Sequence, residues 1–486
     1  MRGGRMKDIP RYLSERYSPW GWMGQRAHDA EAINRILPLD IIISCNYGRE
    51  VPLFFSDENI FSVERSNGIR KNWSNEDLAS ALEGQIGEKV KERCDLYDSP
   101  LNLLCYRSVK FLESNALNFK MRPALMGVPE KLKRHFDNKI LLHRNLRPLG
   151  LTAMEARVGP LCKFTFDVLR KDLGIPFVVQ FPYGSSGSST HIIAAEHDYR
   201  RLSLKHRLDS AVIREYINGY SININAVVLT ASNGTRTLCS YPSVQITGAP
   251  ECSNSPAAYC GNDYTAAASV EKKVMSEVIR QTKVTGQWMA RSGYRGIFGM
   301  DFIVKGNKVY PVEINPRFQN STALHAAATV SQGDPSKALF LAHIAEFLRE
   351  KDSVMDTYAE NIDEDDLMFP IKGAQIIVCN GPSETVVTGE IFPGLYNMVL
   401  GELVRLSEKV SLADCETPGD IVITCGVPKR YTRIAPGASI CKIQFLTNAL
   451  ELSGKRRLNP TARSMVRAVY GATKLKDLSG LEVPVV

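Results

Sequence analysis

Several signatures are missing from this sequence, and each absence removes a class of protein. No apolar run in the 486 residues approaches the ~20 that a membrane helix needs. The basic start has no apolar core behind it, so we expect no secretory signal. The eleven cysteines include no C-x-x-C pair, which favours reduced, buried thiols in a cytoplasm over disulfides or a zinc site.

Concentrated charge of one sign is also missing. The net charge is +8, and Lys and Arg are spread along the chain, so nucleic-acid binding is not indicated. No G-x-G-x-x-G follows a predicted strand, so a dinucleotide site is not supported. A hydrophobic content of 44% and a charged content of 23% are typical of a globular protein, and the length can hold roughly three domains.

What the sequence does contain is a polar hairpin. Residues 297–314 are predicted to form two strands joined by a Gly-Asn turn, with Asp301 on the first strand. Glu313, Asn315 and Arg317 alternate at the end of the second strand, so they share one face, and antiparallel pairing can bring Asp301 opposite them. Such oxygen ligands beside a guanidinium suit Mg²⁺ bound to phosphate. The alternative is a half-exposed hairpin whose polar side chains face water.

The whole stretch, G-x-x-G-x-D-F followed by a turn and E-I-N-P-R, resembles the metal-binding strand pair of the ATP-grasp ligases. The resemblance implies that Asp301, Glu313 and Asn315 hold Mg²⁺ on ATP, with Mn²⁺ as the alternative ion. It implies that Arg317 helps to bind the reacting carboxyl or phosphate group. The resemblance covers roughly residues 130–350.

A Gly/Ser-rich turn lies upstream, between two predicted strands. Glycines let the backbone close over a ligand, and serine hydroxyl and backbone N–H groups donate to phosphate oxygens. A flexible loop has the same composition. The placement resembles the ATP-grasp lid that folds over the phosphates, which implies five phosphate-binding residues: Gly184, Ser185, Ser186, Gly187 and Ser188.

Two further positions bear on phosphate binding. Asp137-Asn138-Lys139 is similar to the family's entry segment, which implies that Lys139 faces the phosphates; the alternative is a solvated helix lysine. The family usually has a lysine on the strand before the lid loop, where this chain has Gln180. A neutral amide can donate to a phosphate or to adenine N7, but it stabilises negative charge less.

An apolar strand that ends before Gly219 matches the family's hinge between its two nucleotide-binding halves. The resemblance implies three residues at the adenine edge: Glu215, Tyr216 and Ile217. A core strand with a surface acid is the alternative for Glu215. The family commonly has a glutamate for the ribose where this chain has Ser221 and then Asn223, so the ribose contact stays open.

The polar stretch 241–264 is predicted to be a long loop, because it shows no simple periodicity. Its position before a long helix and the metal strands places it beside the phosphate end. We therefore predict that Ser243, Gln245 and Asn262 help to shape the pocket of the acceptor substrate.

The predicted fold class is α/β, with the ATP-grasp fold that the resemblance implies. Residues 1–130 are predicted as an N-terminal α/β domain with a parallel sheet, whose strands include 39–44, 52–56 and 101–106. The other predicted parts are a first ATP-grasp half with the lid subdomain (131–218), a second half with the metal site (219–350), an acidic linker (351–368) and a small β-rich C-terminal domain (369–486).

The chemistry that the resemblance implies is an ATP-dependent carboxylate–amine ligase that forms an amide through an acylphosphate. The expected partners are an amino-acid or peptide carboxylate, an amine and a second copy of the chain. One alternative is a bicarbonate-activating enzyme like biotin carboxylase, because E-I-N-P-R resembles that enzyme's strand too, although no biotin-attachment segment is visible. The other is a non-catalytic nucleotide-binding regulator, against which the complete set of Asp301, Glu313, Asn315 and Arg317 argues.

Overall fold

Four β-sheets and the helices around them organise the part of the chain that is described. The computed structural model describes residues 8–67, 70–71, 73–106, 110–114, 118–184, 187–452 and 457–478. Parallel and antiparallel strands both occur, which confirms the predicted mixed α/β class. No helix in these ranges combines the length and apolarity that a bilayer crossing demands.

The N-terminal layer is a parallel sheet, as predicted, with the strand order β3-β2-β1-β4-β5. Its strands are β1 (Trp20–Arg26), β2 (Ile41–Asn46), β3 (Ile60–Ser62), β4 (Asn102–Cys105) and β5 (Ala124–Met126). The accompanying helices are α1 (Ile9–Tyr17), α2 (Glu31–Ile36), α3 (Val63–Asn67), α4 (Asn75–Leu82), α5 (Gln85–Cys94) and α6 (Lys110–Glu113). The prediction of a strand at 52–56 is wrong: Val51–Leu53 is a 3₁₀ helix, because Pro52 fixes φ and cannot donate to a ladder.

A second, smaller sheet follows two short helices. The helices are α7 (Glu130–Phe136) and α8 (Lys139–Asn145), separated because the Asn138 side chain accepts hydrogen bonds from the first N–H groups of α8. The sheet is antiparallel in the order β6-β9-β7-β8. Its elements are β6 (Ala156–Pro160), α9 (Phe166–Leu173), β7 (Phe177–Gln180), β8 (Thr190–Ile193), α10 (Glu196–Lys205) and β9 (Ser210–Glu215).

The largest sheet is antiparallel, with eleven strands among the described residues. Its path is β15-β14-β10-β12-β13-β16-β22-β20-β18-β19, with β11 paired to β10, and β21-β17-β23 form a separate small sheet. The strands are β10 (Tyr220–Ala231), β11 (Gly234–Cys239), β12 (Ser243–Thr247), β13 (Tyr259–Asp263), β14 (Gly296–Lys305), β15 (Lys308–Asn315), β16 (Ala374–Cys379), β17 (Thr385–Val387), β18 (Gly394–Val399), β19 (Glu402–Ser407), β20 (Ile421–Thr424), β21 (Arg433–Ile434), β22 (Ser439–Phe445) and β23 (Leu475–Asp477).

Helices pack on this sheet from the chain on either side of the polar hairpin. They are α11 (Tyr264–Ala267), α12 (Lys272–Arg291), α13 (Asn320–Ser331), α14 (Leu339–Leu348), α15 (Ser353–Asn361), α16 (Glu364–Leu367) and α17 (Pro460–Thr473). The segment predicted as an acidic linker is therefore helical. Its acids favour helices because Asp352 caps α15 and Asp363 caps α16.

The predicted C-terminal strands extend the large sheet. β16 pairs with β13, where Asn262 lies opposite Gln375. A single cluster of buried apolar residues runs from Val128 to Val469, through both the polar hairpin and these later strands. The hairpin acids Asp301 and Glu313 and the C-terminal quarter of the chain therefore share one sheet and one core.

Candidate active site

The polar hairpin brings its two acids opposite each other. In the β14–β15 ladder Asp301 lies opposite Glu313 and Gly299 lies opposite Asn315, with a bulge directly after Asp301. The Asn315 amide nitrogen donates to the Asp301 carboxylate at 3.0 Å. The predicted turn and both predicted strands are confirmed, because alternation and the Gly-Asn turn fix the register of adjacent strands.

A cluster of amides holds the Asp301 carboxylate. Asn223 on β10 donates to Asp301 Oδ1 at 2.7 Å, and Gln245 on β12 donates to the same oxygen at 2.9 Å. Asn223 Nδ2 also donates to Gln319 Oε1 at 2.6 Å. A Cβ on Gly299 would coincide with the Gln319 amide, so this glycine leaves the space in which the cluster assembles. The predicted ribose and acceptor residues Asn223 and Gln245 thus lie beside the acid.

Lys139 joins the hairpin to the Gly/Ser turn. Its side chain is 2% exposed, and its ammonium lies 2.9 Å from Glu313 Oε1. The same ammonium donates to the carbonyl oxygen of Gly184 at 3.2 Å. The alternative of a solvated helix lysine is therefore wrong, because α8 presents Lys139 inward from its first turn.

The two acids are electrostatically coupled. Desolvation, followed by the neighbouring charge of Glu313, raises the pKa of Asp301 to about 7, while hydrogen bonds from Asn223 and Asn315 oppose the shift. Two carboxylates that resist ionising together form a site that favours a cation. Mg²⁺ takes one or two carboxylates plus phosphate oxygens, so Asp301, Glu313 and the Asn315 amide oxygen fit it chemically. Within the described ranges no three His, Cys, Asp or Glu side chains converge, so phosphate or water oxygens would complete its coordination.

Arg317 connects these residues to the N-terminal layer. It donates to Asn315 Oδ1 at 2.8 Å and to the Phe318 carbonyl at 2.9 Å. It also donates to the Tyr106 hydroxyl at 3.3 Å, and its guanidinium lies 5.5 Å from the centre of the Tyr106 ring. Tyr106 directly follows β4, so the carboxyl edge of the parallel sheet meets the hairpin.

Arg26 reaches the same region from the end of β1. Its guanidinium hydrogen-bonds to the amide oxygen of Asn320, three residues after Arg317, and lies 3.7 Å from Asp29. Sequence reasoning missed Arg26 and Tyr106. The available signal was their position after the two central strands of an open parallel sheet, where the strand order reverses and ligands commonly bind.

The predicted Gly/Ser turn joins β7 to β8, as expected from the sequence. Gly187 has φ +82°, and a Cβ on it would lie 2.1 Å from the Ala257 carbonyl oxygen, so the turn lies directly against the segment before β13. Ser188 is exposed and Gly184 half-buried. Ser185 and Ser186 lie outside the described residues.

Strand β7, which precedes the Gly/Ser turn, contributes Gln180 to a buried amide–guanidinium pair. Gln180 Nε2 donates to Thr190 Oγ1 at 3.2 Å, and Gln180 Oε1 accepts from Arg214 Nη2 at 2.6 Å. Arg214 comes from β9 and was missed in the sequence, although an arginine inside the apolar run AVIREYI was a visible signal. Burial lowers the pKa of Arg214 to about 10, opposed by the charge of Glu313.

The hinge residues lie at the end of β9. Glu215 Oε1 accepts a hydrogen bond from the backbone N–H of Glu155 at 3.2 Å. Tyr216 is exposed, whereas Ile217 is buried against Met154. Ser221 is half-buried on β10, opposite Gln245.

The predicted acceptor residues Ser243 and Asn262 form a buried pair. Asn262 donates to Ser243 at 2.9 Å, and both are at most 1% exposed, so they support the sheet rather than line an open pocket. The prediction of a long loop at 241–264 holds for residues 248–258, which contain no helix or strand, and is wrong on either side of them, where β12 and β13 lie. Gly261 makes the pairing of β13 with β16 possible, since a Cβ at this position would lie 2.0 Å from the Gln375 carbonyl oxygen.

A protein-family model, described as the ATP-grasp domain, matches residues 171–321 of this chain. The chain contains an ATP-grasp domain. That match includes β7, the Gly/Ser turn, Arg214, both acids and Arg317. The resemblance that the hairpin indicated is thus confirmed at the level of the superfamily.

Solved structures show the same fold over almost the whole chain. The biotin carboxylase domain of the Hydrogenobacter thermophilus 2-oxoglutarate carboxylase superposes with a TM-score of 0.55 at 12% identity, covering 88% of this chain and 86% of that one. Biotin carboxylase from Campylobacter jejuni gives 0.53 at 13% identity, covering 94% and 92%. Carboxyaminoimidazole ribonucleotide synthase from Aspergillus clavatus gives 0.51 at 12%, covering 94% and 98%. At these identities the likeness establishes the ATP-grasp fold alone.

One curated relative is similar in sequence. The formate-dependent phosphoribosylglycinamide formyltransferase of Prochlorococcus marinus is 29% identical over 156 residues, which is 30% of this chain and 35% of that protein. The match spans about a third of the relative's length. It therefore supports the ATP-grasp domain and leaves the substrates to be argued from the site.

Proposed function

We propose that this protein is an ATP-dependent carboxylate–amine ligase. The observation that carries the proposal is the convergence of Asp301, Glu313 and Asn315 with Lys139 and Arg317 opposite a glycine-rich turn. Phosphoryl transfer is catalysed mainly by positioning and by stabilising charge, and these residues supply both. The assignment is supported by a formate-dependent formyltransferase among the relatives and by two structural neighbours solved as ATP or β-γ-ATP complexes.

The proposed nucleotide site extends from the hinge to the hairpin. Lys139 and the backbone of the Gly/Ser turn hold the phosphates, and the segment from Glu215 to Ile217 holds the adenine. Asp301, Glu313 and Asn315 would hold Mg²⁺, which when bound neutralises phosphate charge. In the structure Lys139 is paired with Glu313, whereas in the proposed complex it would contact phosphate and Glu313 would contact the metal.

The proposed reaction has two steps. A substrate carboxylate oxygen attacks the γ-phosphorus of ATP, the bond from that phosphorus to the β–γ bridging oxygen breaks, and ADP leaves with the electron pair. The acceptor amine nitrogen then attacks the acyl carbon, phosphate leaves, and the nitrogen loses a proton. Arg317 orients the carboxylate and stabilises the charge on the transferred group.

The proposed acceptor side is the carboxyl edge of the parallel sheet. Tyr106 and Arg26 lie there, and Arg317 and the start of α13 face them. A guanidinium and a phenol at a sheet edge recognise carboxylate and hydrogen-bonding groups, so an amino acid or a small peptide is the substrate class we propose.

The decisive test is phosphate release from Mg-ATP with amino acids and dipeptides, singly and in pairs, with mass spectrometry of the products. We expect phosphate only with a matching pair, together with a product whose mass is the sum of both minus water. Asp301→Ala serves as the inactive control. Phosphate that depends on bicarbonate alone would replace the ligase with a carboxylase, and ATP binding without turnover across the panel would favour a regulator.

A further inference from the structure

Arg214 is a buried cation that lacks an acidic partner. The residue is 6% exposed on β9, and throughout the described ranges no carboxylate lies within 4.0 Å of its guanidinium. Among the described residues, its side chain forms one hydrogen bond, the 2.6 Å contact with Gln180 Oε1. A buried charge without an ionic partner is costly, and an anionic ligand at this place would offset that cost.

The acid that attracts Arg214 is already engaged by another cation. Glu313 attracts Arg214 electrostatically, yet its carboxylate is bonded to the Lys139 ammonium at 2.9 Å. Two buried cations therefore share one carboxylate. Burial lowers the pKa of Arg214 only to about 10, so the guanidinium remains charged at neutral pH and competes with Lys139 for Glu313.

The Gln180 amide nitrogen has a partner within the protein, although the sequence suggested that it could donate to a phosphate or to adenine N7. Its amide nitrogen is bonded to Thr190 and its oxygen faces Arg214. The amide thus presents its acceptor to the guanidinium and holds it in place. A guanidinium has five N–H donors, and one of them reaches Gln180, so the others are available to an anion.

We propose that Arg214 binds the phosphate oxygens of the nucleotide, and that Gln180 is the residue that positions it. The ligand class is a polyphosphate, because the guanidinium lies between the strand before the Gly/Ser turn and the acid Glu313. This inference rests on the proposed function and adds to it: the charge expected on β7 is supplied by the neighbouring strand β9. Arg214 would contact phosphate, whereas Gln180 would act through Arg214.

The test is equilibrium binding of Mg-ATP and of adenosine by calorimetry, which needs no knowledge of the other substrates. Arg214→Met keeps the length and removes the charge. We expect ATP to bind roughly 10- to 100-fold more weakly, as for loss of a charged hydrogen bond, and adenosine to bind as in the wild type. The matched control is Arg157→Met on β6, the other neighbour of β9, whose charge is paired with Asp172 at 2.8 Å.

A second variant moves the charge to the neighbouring strand. Gln180→Lys combined with Arg214→Met places an ammonium on β7 beside the vacated guanidinium position. We expect the double variant to recover most of the lost ATP affinity. Recovery identifies a charge requirement at this place, and a double variant as weak as Arg214→Met would contradict the proposal.

Thermal unfolding separates a ligand-binding arginine from a structural one. Without nucleotide, Arg214→Met removes a buried charge that has no ionic partner, but it also leaves the buried Gln180 Oε1 without its donor, so we expect only a small change of unfolding temperature. ATP should raise that temperature less than it does in the wild type. Stabilisation by ATP equal to that of the wild type, or equal loss of ATP and adenosine binding, would overturn the proposal in favour of a structural role. Wild-type protein that binds no ATP would instead overturn the proposed function itself.

Discussion

Asp301 and Glu313 are the residues on which the proposed chemistry depends most. Their carboxylates face each other across β14 and β15. We predict that Asp301→Ala and Glu313→Ala each lower turnover at least about a hundredfold, or ~3 kcal/mol, as for other fixed charge-stabilising groups. The measurement is steady-state phosphate release with the substrate pair found above.

The matched control for these two variants is Glu402→Ala. Glu402 is an exposed acid on β19, in an antiparallel hairpin at the far edge of the same sheet. Its turnover should equal that of the wild type. Near-normal turnover in both hairpin variants would contradict the metal assignment.

The raised pKa of Asp301 predicts a specific pH dependence of stability. The folded protein holds this proton up to about pH 7, whereas the unfolded chain releases it near pH 4. Without Mg²⁺, the stabilising contribution of the protonated form is therefore present below pH 4 and lost as the pH rises through 7. Asp301→Asn lacks this loss, so its unfolding temperature should exceed that of the wild type increasingly from pH 4 to 7 and by a constant margin above 7. If the unfolding temperatures of the two proteins differed by the same amount at every pH from 4 to 7, the raised pKa of Asp301 would be refuted.

Residues near the hairpin were predictable because they are close in sequence. Asp301, Glu313 and Asn315 follow from alternation on two strands joined by a short turn. Arg26 and Tyr106 could be placed at the ligand-binding edge of their own sheet, but their position beside the hairpin could not be predicted, because it depends on how that separate sheet meets α13. Gln245 was predicted near the site, but its contact with Asp301 depends on the ladder between β10 and β12.

The Gly/Ser turn is the element whose conformation governs the proposed phosphate site. Gly187→Ala introduces a side chain at φ +82° and within 2.1 Å of the Ala257 carbonyl oxygen. We predict that the turn is displaced and that the Michaelis constant for ATP rises roughly 5- to 30-fold, as expected from about 1–2 kcal/mol of strain. Initial rates at varied ATP measure this.

Gly234→Ala is the control for that substitution. Gly234 has φ +125° in the β10–β11 hairpin, and no other atom lies within 4 Å of the position that an alanine Cβ would take. It carries backbone strain without a clash near the site. An equal rise of the Michaelis constant in both variants would show that the effect is general destabilisation.

At the level of elements, local signals predicted well and long-range ones did not. β7, the turn and β8 follow from two apolar runs around glycines. The acidic stretch was predicted as a linker because a run of acids is typical of exposed, irregular segments. The prediction did not consider that Asp352 and Asp363 can cap helices. β12 and β13 were missed because both strands are short and rich in polar residues, although Val244 and Ile246 alternate with polar residues along β12.

Across the whole molecule, a buried ion pair joins the two ends of the chain. Lys442 on β22 lies 2.9 Å from Asp29, just after β1, and both are at most 3% exposed. We predict that Lys442→Met lowers the free energy of unfolding by about 3–5 kcal/mol, because it leaves a buried carboxylate with one more distant cation, Arg26. Urea denaturation measures the change.

The double variant Asp29→Asn with Lys442→Met should be less destabilised than Lys442→Met alone, because it removes the stranded charge. Lys409→Met is the control: its partner Glu416 is exposed, and such pairs contribute about 0–1 kcal/mol. Equal losses in the free energy of unfolding for the Lys409 and Lys442 variants would mean that the buried pair contributes no more to stability than an exposed pair.

The β-rich character of the last hundred residues was predictable, because apolar alternation marks each strand. Their attachment to the ATP-grasp domain was not predictable. It depends on pairing between β13 and β16, which are separated in sequence by α12, the hairpin and several further helices. The pairing of two strands so far apart in sequence leaves no pattern in the local sequence of either strand.

The junction of β13 and β16 also limits how this protein can be recombined. Gly261 on β13 leaves room for the backbone of Gln375 on β16. If the C-terminal segment is exchanged between relatives, its first strand can pair in the same way only with a β13 that has glycine at this position. A chimera cut at the acidic helices would divide a continuous ladder. A working chimera therefore has to take β13 and β16 from the same parent, despite the distance between them in the sequence.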